Sequence, residues 1–382
     1  MDFSLTEDQL ALKQLCHDFA AKEIAPHAAE WWDKEVFPSH VFMAMGELGL
    51  MGLLVPEQYG GTNAGAIAYV AAMEEIGAAD QSVAAAWNAH TTIASLPLLA
   101  FGTEEQKQRW LRPLAEGRRL GAFGLTEPEA GSDAAGIRTR AVRDGNEWVI
   151  NGTKMFISNA GTEISLGVTI LAVTGENDDG SKRYGSIFIP DGTPGYRKGE
   201  HLKKIGWHSL DTRELVFDDC RVPADHLVGE EGHGLRQFLD VLGAGRISVA
   251  ALSLSLASAA LTMALDYATE RRQFGRPISQ FQAIQHKLAD MATEVEAARW
   301  LVYRAAWLYD AGLPYAKEAA MAKLYASEVA NRVVSEAVQV HGGYGFMREY
   351  PIARFYCDAK ILEIGEGTNE IQRSVIARAL GC

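Results

Sequence analysis

The sequence is short of cysteine and of positive charge. Its four cysteines, Cys16, Cys220, Cys357 and Cys382, form no CxxC pair and no Cys/His cluster. That spacing argues against a zinc or iron–sulfur centre and fits a reducing compartment. Lysine and arginine number 36 against 49 acidic residues, for a net charge of −13. Such a surface disfavours binding to nucleic acid or to anionic lipid. It also repels anions at a distance, so any anion site has to be local. The chain opens with neither a basic leader nor an Arg-rich one and ends without an SKL-type address. A cytoplasmic location in a bacterium is expected, or the mitochondrial matrix if a transit peptide has been removed. One run, 247–265, lacks charge, but Ser248, Ser253, Ser255, Ser258 and Thr262 interrupt it. A bundle helix, and no membrane span, is the expectation.

What is present is ordinary globular material. Of the 382 residues, 48% are apolar and 22% charged, enough for two or three domains with a sizeable core. Residues 1–120 carry helical spacing (Phe3, Leu5, Leu10, Leu12, Leu15) behind a Thr6-Glu7-Asp8-Gln9 start signal. Residues 121–228 change to short extended runs separated by Asp144-Gly145 and Asn151-Gly152, both hairpin-turn signals. Residues 229–382 return to long helices, broken at Gly312-Leu313-Pro314. The expected fold is α+β: an N-terminal all-α domain, a middle antiparallel β-barrel domain and a C-terminal four-helix bundle. No βαβ alternation appears. Gly342-Gly343-Tyr344-Gly345 follows a helix, so it is not a dinucleotide fingerprint.

Four motifs carry chemistry. Phe123-Gly-Leu-Thr-Glu-Pro-Glu-Ala-Gly-Ser-Asp133 joins a hydroxyl, a proline turn and a small Gly-Ser loop, which suits a phosphate or a flavin edge. Its plainer reading is a polar loop. Asn151-Gly-Thr-Lys-Met-Phe-Ile-Ser-Asn159 is first of all a strand. Glu270-Arg-Arg-Gln-Phe-Gly-Arg-Pro-Ile278 puts arginines at a helix end, fit for a pyrophosphate or simply for the helix dipole. Glu363-Ile-Gly-Glu-Gly-Thr-Asn-Glu-Ile-Gln-Arg373 sets Glu366 between two glycines, ahead of a helix that Thr368 would cap.

In this order, over essentially the whole chain, the motifs closely resemble the acyl-CoA dehydrogenase family. Asp358-Ala-Lys-Ile-Leu-Glu-Ile-Gly-Glu-Gly-Thr-Asn-Glu and Leu-Thr-Glu-Pro-x-Ala-Gly-Ser-Asp are its specific stretches. The resemblance implies noncovalent FAD. Phe123, Leu125, Thr126, Gly131 and Ser132, with Phe156, Ile157 and Ser158, match the isoalloxazine stretches. Thr126 would bond the pyrimidine edge and Ser158 would sit at N5. Arg271, Phe274 and Gln282, and Gln339, Val340, Gly342 and Gly343, match residues that reach a neighbouring subunit's FAD. Thr368, Asn369 and Glu370 match contacts at the start of the last helix. Ser132 matches a CoA contact; Leu242, Gly243, Ala244, Gly245 and Arg246 match the acyl-chain helix, with Gly365 and Gly367 beside the thioester.

The activity so implied is α,β-dehydrogenation of a saturated acyl-CoA to a trans-2-enoyl-CoA. Glu366 would take the α-proton while a hydride leaves the β-carbon for flavin N5, and electrons would pass to an electron-transfer flavoprotein. Burial against an acyl chain would raise the carboxyl's pKa, and donors at the thioester oxygen would stabilise the enolate. The family's usual state is a homotetramer, a dimer of dimers. Some members carry the base at the position of Gly245, which here cannot act. Gly365 stands where tyrosine is common, Phe156 where tryptophan is common and Glu129 where glycine is frequent. Gly365 with Ala85, Ala86 and Ala89 suggests a roomy pocket for a medium or branched chain. The wider likeness, through Leu242–Arg246 and Lys317–Lys323, is to short-chain members. The region 35–106 has no lysine or arginine to meet a second carboxylate, and His90 reads as structural. The alternatives are a flavin monooxygenase of the same architecture and a non-catalytic helical assembly.

Overall fold

The computed structural model describes residues 4–382; Phe3 of the opening helical pattern lies outside them. The chain starts with α1 (Glu7–Phe19), where Thr6 and Gln9 form a reciprocal capping box. Then come α2 (Ala28–Lys34), α3 (Ser39–Glu47), α4 (Ala66–Ala79), α5 (Gln81–Asn88) and α6 (Ser95–Phe101). A π-helical stretch at Ala89–Ala94 joins α5 to α6. Short α7 (Glu104–Gln106) and α8 (Arg112–Ala115) close this part.

A curled sheet follows: β1 (Leu120–Gly124), β2 (Arg140–Asp144), β3 (Glu147–Ser158), β4 (Ser165–Glu176), β5 (Lys182–Pro190), β6 (Tyr196–Lys198) and β7 (Thr212–Pro223). Its order is β1-β4-β2-β3-β7-β6, with β5 on the other side of β4. Antiparallel pairs dominate, but β1 and β2 both run parallel to β4. Sequential alternation cannot reveal such pairing, because it depends on where the chain returns in space.

Asn151-Gly152 is not a turn. The two runs expected there are one twelve-residue strand, β3, with a register shift at Ile150/Gly152. A side chain at 152 would collide with Thr139, and Asn151 accepts from the Asp219 backbone N–H at 2.9 Å. The Asn-Gly pair therefore makes a bulge that bends the strand.

The C-terminal helices are α9 (Gly234–Glu270), α10 (Gln282–Asp310), α11 (Ala316–His341), α12 (Pro351–Ala359) and α13 (Asn369–Ala379). The first two are joined by a small hairpin of β8 (Arg272–Gln273) and β9 (Arg276–Pro277). α12 is an addition to the four helices expected; its Pro351 stands at the first turn, where the missing N–H costs nothing.

Among the described residues α9 alone is long and apolar enough to cross a membrane, and 78% of its most apolar window is buried in the protein. Its serines are satisfied there: Ser248 pairs with the Tyr69 hydroxyl at 2.6 Å, and Ser253 donates to the Val249 carbonyl at 2.7 Å. α9 packs on α4, α10 and α11, and one apolar core runs through all of them. The N- and C-terminal helices thus share a core, while the sheet keeps its own. Residues from α4, α5 and α9 are thereby fixed relative to one another.

Candidate active site

Glu366 sits where the chain turns from α12 toward α13. Thr368 caps α13 by accepting from the Ile371 N–H at 3.4 Å. Glu366 itself has φ 52°, a left-handed conformation that costs a non-glycine residue about 1–2 kcal/mol. The loop is held against that cost. Lys323, fully buried on α11, donates to the Gly367 carbonyl at 2.9 Å and to Asn369 Oδ1 at 3.0 Å. Gln372 donates to the same carbonyl at 2.9 Å. Burial pushes the Lys323 amine down to about 8 despite the opposing pull of Glu366.

The carboxylate points inward, toward α5 and α9. Oε1 accepts from Asn88 Nδ2 at 2.7 Å. The residue as a whole is half-buried, but Oε2 is closed off from solvent and has no hydrogen-bond partner. Gly245 lies beneath it: a Cβ there would overlap Oε2 and sit 3.2 Å from Ile93 Cγ2. Burial drives the Glu366 pKa up to about 7, against the Asn88 hydrogen bond and the charges of Lys323 and Arg246. Arg246, one residue on, has a buried Nε without a partner, and burial lowers its pKa. A half-protonated carboxyl near neutral pH, in a dry setting, is suited to moving a proton to or from carbon.

An apolar wall connects this carboxyl to the 123–133 loop. Ile93, Leu125 and Leu242 pack against a cluster of Phe123, Ala130, Ile137, Leu171, Tyr184 and Phe238. The rings of Phe123 and Phe238 stack at 4.2 Å. The loop is stapled from below by a buried ion pair, Lys154 Nζ to Glu127 Oε1 at 2.8 Å. Glu127 also accepts from the backbone N–H groups of Arg138 and Thr139, and Lys154 donates to the Leu125 carbonyl. Burial pushes Glu127 up, but Lys154 and the donated bonds outweigh it and hold the carboxyl below its usual range. Burial takes the lysine down to about 8.

The same loop meets β3 through the Met155 N–H, which donates to the Thr126 carbonyl at 2.8 Å. Just there the β3–β7 register shifts between Lys154 and Ile157. Phe156 takes φ 63° and is 65% exposed as a residue, while Ile157 is buried and Ser158 half-buried. Gly131 borders open space, and Ser132 is exposed. An out-turned ring, a hydroxyl-bearing loop and open space beside them fit the flavin expected from the sequence.

The residues expected to reach a neighbouring subunit gather elsewhere, around a surface pocket of about 650 Å³ where α9 and α11 end. Arg271, Val340, Gly342 and Gly343 line it, and the Arg271 guanidinium stands 5.4 Å over the Tyr344 ring. Gln282 and Gln339 are exposed, and Phe274, at the tip of the β8–β9 hairpin, is 93% exposed. Two expected contacts differ in setting. Glu370 is exposed, whereas Asn369 is buried and its amide is already bonded to Lys323 and Ser327. Gly243 and Ala244 are buried in α9, with Gly365 and Gly367 half-buried on the loop.

Sequence reading missed Asn88, Lys323 and the Glu127–Lys154 pair. A lone Asn in the run Ala84-Ala-Ala-Trp-Asn-Ala, and a lysine among alanines at 319–323, were the available signals. His90 is structural as expected: Nδ1 accepts from the Gly121 N–H at 3.3 Å, Nε2 faces the Leu114 carbonyl at 3.2 Å, and burial lowers its pKa to about 4.

Comparison with known proteins agrees with this architecture. The N-terminal domain family of acyl-CoA dehydrogenase matches residues 6–118, the middle domain family 122–220 and the C-terminal domain family 232–381. The probable acyl-CoA dehydrogenase YngJ of Bacillus subtilis is 51% identical, with both chains covered completely. The structure of butyryl-CoA dehydrogenase from Megasphaera elsdenii superposes with a TM-score of 0.96 at 43% identity, covering all of both chains. A structure described as the electron transferring flavoprotein of Acidaminococcus fermentans contains a chain matching at TM-score 0.96 and 44% identity, over 100% of this chain and 99% of that one. On the strength of its sequence, its three domains and its fold, the chain belongs to the acyl-CoA dehydrogenase family.

Proposed function

We propose that this oxidoreductase removes the two hydrogens of the Cα–Cβ bond of a saturated acyl-CoA, with Glu366 as the base. The observation that carries the proposal is the state of Oε2: buried, unpaired, left room by Gly245, on a carboxyl poised at about 7. A glutamate at its ordinary pKa of about 4.3 is a feeble base for a thioester α-proton, and drying raises its basicity. An acyl chain laid along Leu242–Arg246 would exclude what water remains.

When bound, FAD supplies the acceptor for the hydride that leaves the β-carbon. Phe123, Leu125, Thr126, Gly131 and Ser132 would hold its ring with Phe156, Ile157 and Ser158. The Glu127–Lys154 staple ties that loop to β3. Thr368, Asn369 and Glu370 would add contacts from α13, Asn369 through its backbone. Arg271, Phe274, Gln282, Gln339, Val340, Gly342 and Gly343 would complete the site of a neighbouring copy, which calls for at least a dimer. The exposure of Phe274 supports this reading. Ser132 would meet CoA, and Gly365 and Gly367 would flank the thioester. Small Ala85, Ala86 and Ala89, all buried on or just after α5, favour a medium or branched chain, while the likeness through Leu242–Arg246 favours a short one. The likeness to a chain in an electron transferring flavoprotein structure supports such a flavoprotein as electron acceptor.

The deciding experiment is anaerobic titration of the flavin-loaded protein with saturated acyl-CoAs of varied length and branching. Bleaching of the flavin absorbance is expected with at least one of them. No bleaching with any would overturn the proposal.

A further inference from the structure

The two oxygens of the Glu366 carboxylate have different surroundings, and one residue makes the difference. Asn88 Nδ2 donates to Oε1 at 2.7 Å, while Oε2 is left without a partner. Asn88 is 4% exposed and is itself fixed. The Thr92 hydroxyl reaches its carbonyl at 2.8 Å and its side-chain Oδ1 at 3.2 Å. An ionised carboxylate only accepts, so the amide nitrogen is the atom turned to Glu366. Asn88 ends α5, where the regular helix passes into the π-helical stretch Ala89–Ala94. Such widened turns recur at functional sites because they re-aim side chains. The preceding turn is anchored from the sheet domain by Asn159 Nδ2, which donates to the Ala86 carbonyl at 2.9 Å.

We propose that Asn88 is the positioning residue of the base: it pins Oε1, so that Oε2 is the oxygen presented to the substrate, and it favours the ionised carboxylate. The proposal rests on Glu366 being the base. The charged and titratable groups around the carboxylate are Arg246 from α9, Lys323 from α11 and Tyr69 from α4. Lys323 spends its hydrogen bonds on Gly367 and Asn369, and Arg246 Nε has no partner. Among the described residues, the hydrogen bond shown to the carboxylate comes from Asn88. A neutral amide suits the task. It orients the carboxylate and helps it ionise, yet it does not quench its basicity as a directly paired cation would. The Asn88 bond opposes the rise caused by burial, so removing it carries the carboxyl further upward.

The test compares the FAD-loaded wild type with Asn88→Ala, Asn88→Asp and Glu366→Gln. The readout is kcat/KM against pH, with flavin content and melting temperature recorded alongside. Asn88→Ala should move the acid limb upward by about one unit, the size expected for one hydrogen bond to a charged group. Asn88→Asp places a like charge beside the base and should move the limb at least as far. A structural role alone would lower flavin content or melting temperature and leave the limb where it is. If Asn88→Ala fails to fold, the nearly isosteric Asn88→Asp decides alone. An unmoved limb in a folded, flavin-replete variant overturns the inference. Near-normal turnover in Glu366→Gln would instead remove the base reading beneath it.

Discussion

Gly245 and Glu366 compete for one volume. They are 121 residues apart in sequence, yet a single methyl group on α9 would occupy the space of Glu366 Oε2. The helix therefore keeps a glycine at a position where alanine would be the better helix former by about 1 kcal/mol.

Gly245→Ala is accordingly expected to push the carboxylate out of place. Turnover should fall by at least ~10²-fold, the lower end for losing a general base. The fold and the flavin should remain, because the atoms nearest the added methyl belong to Glu366 and Ile93. Steady-state kinetics with flavin absorbance and a melting curve check this. Wild-type turnover in Gly245→Ala would show that Oε2 need not lie there.

The reaction should also report the titration of Glu366. As the proposed base, Glu366 has to be ionised to accept a proton, and burial pushes its pKa up to about 7. kcat/KM should thus be low in acid and rise with increasing pH to a plateau above about 7. A profile already flat at pH 5 would mean that the carboxyl is ionised far more easily than its burial suggests.

The Glu127–Lys154 pair gives a stability prediction. Lys154→Met leaves Glu127 buried without its cation, which costs about 3–5 kcal/mol. The melting temperature should drop, and the 123–133 loop should lose its hold on flavin. Lys154→Met with Glu127→Gln removes both charges and should recover most of the loss. Equal melting of the single and double variants would deny the coupling.

A second buried acid tests the junction of the three domains. Asp358 on α12 accepts from the Trp207 N–H of the segment after β6 at 2.5 Å, and Asp80 caps α5 nearby. Burial raises Asp358 to about 7 and Asp80 to about 6, with Arg354 opposing. A carboxyl whose folded pKa lies above its unfolded value favours the fold most at low pH, and that contribution fades as pH rises toward 7. Asp358→Asn keeps the acceptor and removes the titration. Its melting temperature relative to wild type should climb between pH 5 and 8. A constant difference would mean that Asp358 ionises freely in the folded protein.

How much of this was legible depends on the kind of signal. Helical spacing and turn residues outlined three regions, and Glu366 stood out because glycines flank it. Asn151-Gly152 misled, since the same dipeptide serves a turn or a bulge and only its partners, Asp219 and Thr139, decide. The parallel run of β1 along β4 was hidden because it is set by a contact forty-odd residues away. Asn88 was silent for a like reason. Its meaning comes from a carboxylate 278 positions further on, and its isolation among alanines does not say what it faces.

His90 carries one hydrogen, on the nitrogen facing Leu114, because the other nitrogen is occupied by the Gly121 N–H. With its pKa held near 4, the ring does not change charge across the range in which histidines usually switch. The folded ring thus stays neutral in mild acid, whereas a ring released from the seam takes up a proton at its ordinary pKa of about 6.5. Opening of the join between the first helices and β1 therefore becomes easier as pH falls from about 6.5 toward 4.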